Sequence, residues 1–124
     1  MHIIDTHILL WLLSEPEKLS EQAKKILQED DLCISMASLW EIAIKQSNGK
    51  LDLPFSPEEL YTICLERDIQ IRQIQPHHLN HLRNLPKIHN DPFDRLIICQ
   101  ALADNIEILT KDSLIPKYPV KTVW

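Results

Sequence analysis

Glycine is almost missing from this chain: Gly49 is the single one in 124 residues. With eight prolines and no repeating unit, the composition gives no support for collagen-like repeats, low-complexity tracts or disorder. Cysteine is scarce and odd in number. Cys33, Cys64 and Cys99 are widely spaced among apolar neighbours, as expected of buried thiols in a reducing compartment and not of a disulfide framework. Long apolar runs are lacking too. The two longest, residues 8–13 and 96–103, are far shorter than the roughly 20 residues a membrane-spanning helix requires. The first five residues carry no basic n-region, and Asp5 interrupts their apolar run, so no signal peptide is expected and a cytoplasmic location follows. Positive charge is in deficit. A net charge of -5 argues against the basic footprint of a protein that grips nucleic acid by its phosphates, unless metal ions offset it.

What is present is enough for one core. The chain is 44% hydrophobic and 25% charged, and its length suits a single domain over residues 1–124.

Strand and helix signals alternate along it. His2-Ile3-Ile4 is a β-rich run ending at Asp5-Thr6, and residues 8–13 continue as an apolar helix stopped near Pro16. Ser20 caps a second helix, and residues 32–35 form a short apolar strand. From Met36 to Gln46 the spacing Ala37, Trp40, Ile44 predicts an inward stripe that also contains Glu41, with Asn48-Gly49 as the stop. Ser56-Pro57-Glu58-Glu59 is a capping box opening a helix to about Arg67, followed by the alternating strand Ile69, Ile71, Ile74. A short helix is expected over 76–84, and Asp91-Pro92 opens an apolar helix ending near Asn105. Residues 106–110 and 120–124 read as the last strands. Alternation of this kind implies right-handed crossovers. The expected architecture is a three-layer α/β/α sandwich with a mostly parallel central sheet and ligands at the carboxyl edge of its strands.

That edge collects acids. Asp5 ends the first strand and Asp112 follows the strand finishing at Thr110, while Asp94 lies in the first turn of a helix that must start from the same edge. Glu41 lies about one and a half turns into its helix and is the least firmly placed of the four. Converging carboxylates repel one another and resist ionisation unless a hard cation neutralises them, and Mg²⁺ or Mn²⁺ suits oxygen ligands. Such ions polarise phosphoryl oxygens and acidify water, which points to phosphodiester hydrolysis.

The segments Ile3-Ile4-Asp5-Thr6-His7, Ser35-Met36-Ala37-Ser38-Leu39-Trp40-Glu41, Asp91-Pro92-Phe93-Asp94-Arg95 and Leu109-Thr110-Lys111-Asp112 resemble, in order, the motifs of the PIN-domain family. His89-Asn90-Asp91-Pro92-Phe93-Asp94-Arg95 with the apolar run after it resembles the VapC-like toxin ribonuclease branch of type II toxin–antitoxin systems. The resemblance implies RNA cleavage, metal-binding acids at Asp5, Glu41, Asp94 and Asp112, and polar support from Thr6, Ser35 and Thr110. It also implies a VapB-like antitoxin partner and a homodimer. His7 departs mildly, standing where many members of the family carry asparagine.

Plainer roles compete at each position. Asp5 can cap the first helix, Asp94 can answer a helix dipole, and Asp91 is the better cap of that helix. Glu41 can pair with Lys45 on a solvated face, and Asp112 can serve a turn. Arg95 and Lys111 can contact RNA phosphates or make local salt bridges. Trp11, Trp40 and Phe93 suit core or interface more than base stacking, with Trp11, Leu12 and Trp40 as candidate antitoxin contacts. His77, His78 and His81 read as a solvated helix face. Two rival functions stand beside the nuclease: an aspartate-nucleophile phosphohydrolase, which His7 disfavours where a second aspartate belongs, and a catalytically inert PIN-like RNA- or protein-binding module.

Overall fold

The computed structural model describes residues Met1–Trp124 and holds a five-stranded sheet in which every pairing is parallel. The elements run β1 (His2–Ile4), α1 (Thr6–Ser14), α2 (Glu21–Glu29), β2 (Leu32–Ser35), α3 (Met36–Ser47), α4 (Pro57–Glu66), β3 (Ile69–Arg72), α5 (Pro76–Arg83), α6 (Pro92–Asp104), β4 (Glu107–Leu109) and β5 (Thr122–Val123), with short 3-10 turns at Pro16–Lys18 and Ile115–Lys117. The strand order is β3-β2-β1-β4-β5. Winding runs one way from β1 to β3 and the other way from β4 to β5, so the switch point lies between β1 and β4. In open parallel sheets ligands bind at this point, outside the carboxyl ends of the strands.

Alternation along each strand splits the core in two. Ile4, Leu32, Ile34, Ile69 and Leu109 face one side with residues of α1 to α4, while Ile3, Cys33 and Ile108 face the other with α6 and Tyr118. The result is the expected three layers. No helix is long and apolar enough to cross a membrane. Cys33, Cys64 and Cys99 are free and buried, and burial raises each thiol above its usual range, to about 11 for Cys99. Thiols held in that state are poor nucleophiles.

Local chemistry sets the element ends. Ser20 and Ser56 accept the backbone N–H groups of Ala23 and Glu59, and Asn105 ends α6 in the left-handed region at φ 54°. Gly49 relieves the turn after α3 at φ 73°, where a side chain would be strained although nothing crowds it.

Two sequence expectations need correction. Trp40 is 57% exposed and Ile44 is exposed as well, so the spacing Ala37, Trp40, Ile44 is not the inward stripe of α3. The buried set is Ala37, Ser38, Leu39, Glu41 and Ile42, in which two polar residues take places that hydrophobic periodicity assigns to apolar ones. The histidine cluster is a solvated face only at His77 and His81, which are exposed. His78 is buried, and its Nδ1 accepts the Gln75 N–H while its Nε2 bonds to Asp104 Oδ2 at 2.9 Å. Burial alone would raise the Asp104 carboxyl, but His77, His78 and Arg72 overcome it and hold it at about 2. This ion cluster ties α5 and β3 to the end of α6.

Candidate active site

Asp5 leaves the end of β1 in extended backbone and caps α1, its Oδ1 accepting the Ile8 N–H at 3.0 Å. Its other oxygen accepts a hydrogen bond from the Thr110 hydroxyl at the end of β4, directly across the switch point. Capping and site placement are therefore the same geometry. Burial pushes the Asp5 carboxyl up, and the Thr110 hydroxyl and the Ile8 N–H offset only part of that.

Glu41 reaches the same region from α3. Thr6, the first residue of α1, donates its hydroxyl to Glu41 Oε1 at 2.7 Å and lies 2.9 Å from the Ser38 hydroxyl, all within the buried interior. Lys45, one turn on, donates to Glu41 Oε2 at 2.8 Å. The Lys45 pair exists, yet Glu41 is buried and not on a solvated face. Ser35 has a local part: it caps α3 by accepting the Ala37 N–H at 3.0 Å.

Asp94 lies in the first turn of α6, whose cap is Asp91. Asp91 Oδ1 accepts the N–H groups of Phe93 and Asp94 at 2.8 and 3.1 Å. The Asp94 carboxyl is pushed up to about 7, first by burial and then by the negative charges of Asp91, Asp5 and Glu41, only partly offset by His89. Asp94 thus feels the charge of three other acids. Asp112 differs from them. Burial works against its charge, but the N–H groups of Leu114 and Ile115 and the ring of His89 outweigh that and lower it.

His89 carries no assignment from the sequence, and its Nε2 lies 3.0 Å from Asp94 Oδ2 and 3.1 Å from Asp112 Oδ2. Only its position five residues before Asp94, inside a motif already singled out, could have drawn attention to it. Ser38, inside the second motif but given no role there, and Lys45, expected only as a surface partner of Glu41, are further neighbours of the site.

Arg95 turns away from the acids. Its guanidinium donates to the carbonyls of Leu85, Pro86 and His89, which makes it a brace for the 85–89 loop. Tyr118 braces the same loop, its hydroxyl donating to Pro86 O and accepting from Ile88 N and His89 N. Tyr118→Phe should cost about 1–3 kcal/mol, because buried backbone groups lose their partner. Denaturant unfolding measures this, and an unchanged midpoint would remove the bracing role. Lys111 remains exposed at the strand edge with its Nζ 5.9 Å from the centre of the Trp124 ring.

A family model for the PIN domain matches residues 2–121. The chain belongs to the PIN domain family. Ribonuclease VapC22 of Mycobacterium tuberculosis is 27% identical over 128 residues, covering 98% of this chain and 97% of that protein. Among solved structures, VapBC2 of Rickettsia felis bound to a promoter DNA fragment superposes with a TM-score of 0.74 at 15% identity, over 99% of this chain and 98% of that one. A toxin–antitoxin complex of Klebsiella pneumoniae gives 0.67 at 19% identity, over 100% and 97%. At such identities these two likenesses speak for the PIN fold. Within it, Asp5 and Thr110 meet at the carboxyl ends of β1 and β4, on either side of the switch point.

The donor set fits a hard divalent cation. It consists of carboxylate oxygens, one of them raised to about 7 by burial and by the charge of its neighbours, and buried acids of that kind are what a cation neutralises.

Proposed function

We propose that this PIN domain protein is a metal-dependent endoribonuclease, the toxin of a toxin–antitoxin pair. The observation that carries the reading is the burial of Asp5, Glu41 and Asp94, with Asp5 bonded to Thr110 at the ends of β1 and β4, Glu41 bonded to Thr6 next to Asp5, and Asp112 joined to Asp94 through a shared contact to His89. Asp5, Glu41, Asp94 and Asp112 hold the ion, Mg²⁺ or Mn²⁺. When bound, it supplies positive charge beside the scissile phosphate and makes water acidic enough to attack phosphorus near neutral pH. The chain's own residues prepare the place. Thr110 and the Ile8 N–H fix the two oxygens of Asp5, Thr6 and Lys45 fix those of Glu41, and the Leu114 and Ile115 N–H groups fix Asp112 Oδ1. Lys111 stands at the rim as the candidate phosphate contact, which offsets part of the unfavourable net charge.

A nuclease with no disulfide lock needs control from another chain, and the relative's name and the complexes among the structural neighbours support a VapB-like antitoxin. Exposed Trp40 and Ile44 on α3 and exposed Tyr61 and Leu65 on α4 offer apolar surface for it or for a second copy in a homodimer. A basic antitoxin side chain directed at the acids would complement their charge.

One preparation tests the reading. The chain expressed alone should stop growth. When it is expressed beside the adjacent small reading frame, that product should co-purify. The freed protein should cut RNA with Mn²⁺ and not with excess chelator. Equal cleavage in chelator would refute the metal mechanism. Harmless expression of the active protein, with nothing co-purifying, would remove the toxin role and leave the nuclease.

A further inference from the structure

His89 is held at every polar atom. Its N–H donates to the Tyr118 hydroxyl at 2.7 Å, and its carbonyl accepts from Arg95. Its ring Nδ1 accepts the Asp91 N–H at 3.1 Å. Because that lone pair is taken, the proton of the neutral ring sits on Nε2. Nε2 hydrogen-bonds to Asp112 Oδ2 at 3.1 Å and lies 3.0 Å from Asp94 Oδ2, so the ring touches two carboxylates from different parts of the fold: Asp94 in the first turn of α6 and Asp112 in the loop after β4. A residue that only filled space would not need its backbone and both ring nitrogens fixed.

We infer that His89 is a positioning residue of the proposed metal site, setting the separation of Asp94 and Asp112 before an ion arrives. The inference rests on the metal-dependent reading given above. Two like-charged carboxylates drift apart unless something common to both holds them. His89 Nε2 is the contact common to both in this structure, a hydrogen bond to Asp112 Oδ2 and a 3.0 Å approach to Asp94 Oδ2, while the remaining oxygen of Asp112 is tied to Leu114 and Ile115. Hydrogen bonds to ligating carboxylates fix their direction and raise a site's affinity, typically by about 10–100-fold. His89 touches no reacting atom in this scheme and acts only through the two acids.

Manganese titration calorimetry on the folded chain tests this, with folding checked by circular dichroism. His89→Ala and His89→Asn, the second keeping a polar side chain too short to reach both acids, should bind Mn²⁺ about 10–100-fold more weakly than the wild type. His89→Gln, whose amide nitrogen extends about as far as Nε2, should restore most of the affinity. If the alanine variant fails to fold, the asparagine and glutamine pair carries the comparison. A purely structural histidine would lower the melting temperature without moving the Mn²⁺ affinity of the folded fraction, and that result overturns the proposal. So does tighter binding by His89→Ala or His89→Asn, which would mean that the ring competes with the ion. A wild-type chain that binds no Mn²⁺ overturns the metal reading itself, an outcome separate from unchanged affinity in the variants.

Discussion

Asp94→Asn should slow RNA cleavage by about 10²–10³-fold, the scale on which removing one group that stabilises transition-state charge slows an enzyme. The same change should raise the melting temperature of the metal-free protein. Both effects have one cause. Asp94 is buried, and its charge is opposed by Asp91, Asp5 and Glu41, so the ionised carboxylate is costly until a cation answers it. Asparagine keeps the shape and an oxygen that can accept from His89, but brings no charge. The fold gains what the reaction loses, as happens where function holds like charges together. Asp5→Asn should follow the same pattern less cleanly, because its carboxylate also caps α1 and accepts from Thr110. Cleavage assays and thermal melts in chelator check the pair of effects. Full activity in folded Asp94→Asn protein would refute its role, and a sharp fall in melting temperature would refute the account of repulsion.

Part of this site was legible from local chemistry. Asp5 and Asp94 lie at helix starts, where short polar residues and carboxylates answer unpaired N–H groups, and parallel topology brings strand ends and helix starts to one edge. The four segments resembling PIN motifs then ordered the candidates. Glu41 was harder to place, because the face of α3 it occupies is not the one its apolar neighbours mark. Trp40 and Ile44 point outward while Ser38 and Glu41 point in, so hydrophobic periodicity chose the wrong stripe. Arg95 shows another limit. Adjacency to Asp94 in sequence is not adjacency in space, since consecutive helix residues project about 100° apart, and its guanidinium ends on the 85–89 loop. His89 was legible only as a member of its segment, with no role. Its place depends on a loop held by Tyr118, 29 residues away, and on Arg95, contacts that no local pattern encodes. His78 and Asp104 meet across 26 residues for the same reason.

Between about pH 4 and about pH 7 the metal-free protein should lose stability as pH rises, and Asp94→Asn should remove much of that slope. An unfolded Asp94 titrates near its ordinary value of 3.8, and the folded one near 7. Inside this window the folded chain holds a proton that the unfolded chain has released, so raising the pH favours unfolding. The penalty is absent below the unfolded value, grows through the window and levels off above the folded one. A displacement of that size corresponds to a few kcal/mol, at roughly 1.4 kcal/mol for each tenfold change in proton affinity. Asp5, also raised by burial, pulls in the same direction. Asp104 and Asp112 are lowered, and their stabilisation is lost only as the pH falls below about 4, outside the window. Mn²⁺ should reverse the trend, because it binds deprotonated carboxylates and stabilises the folded state more as the pH rises. Guanidinium unfolding of wild type and Asp94→Asn in chelator, at about pH 4.5, 6 and 7.5, isolates the effect as the difference between the two proteins. A difference that stays constant across those conditions would show that Asp94 does not carry the excess proton of the folded state.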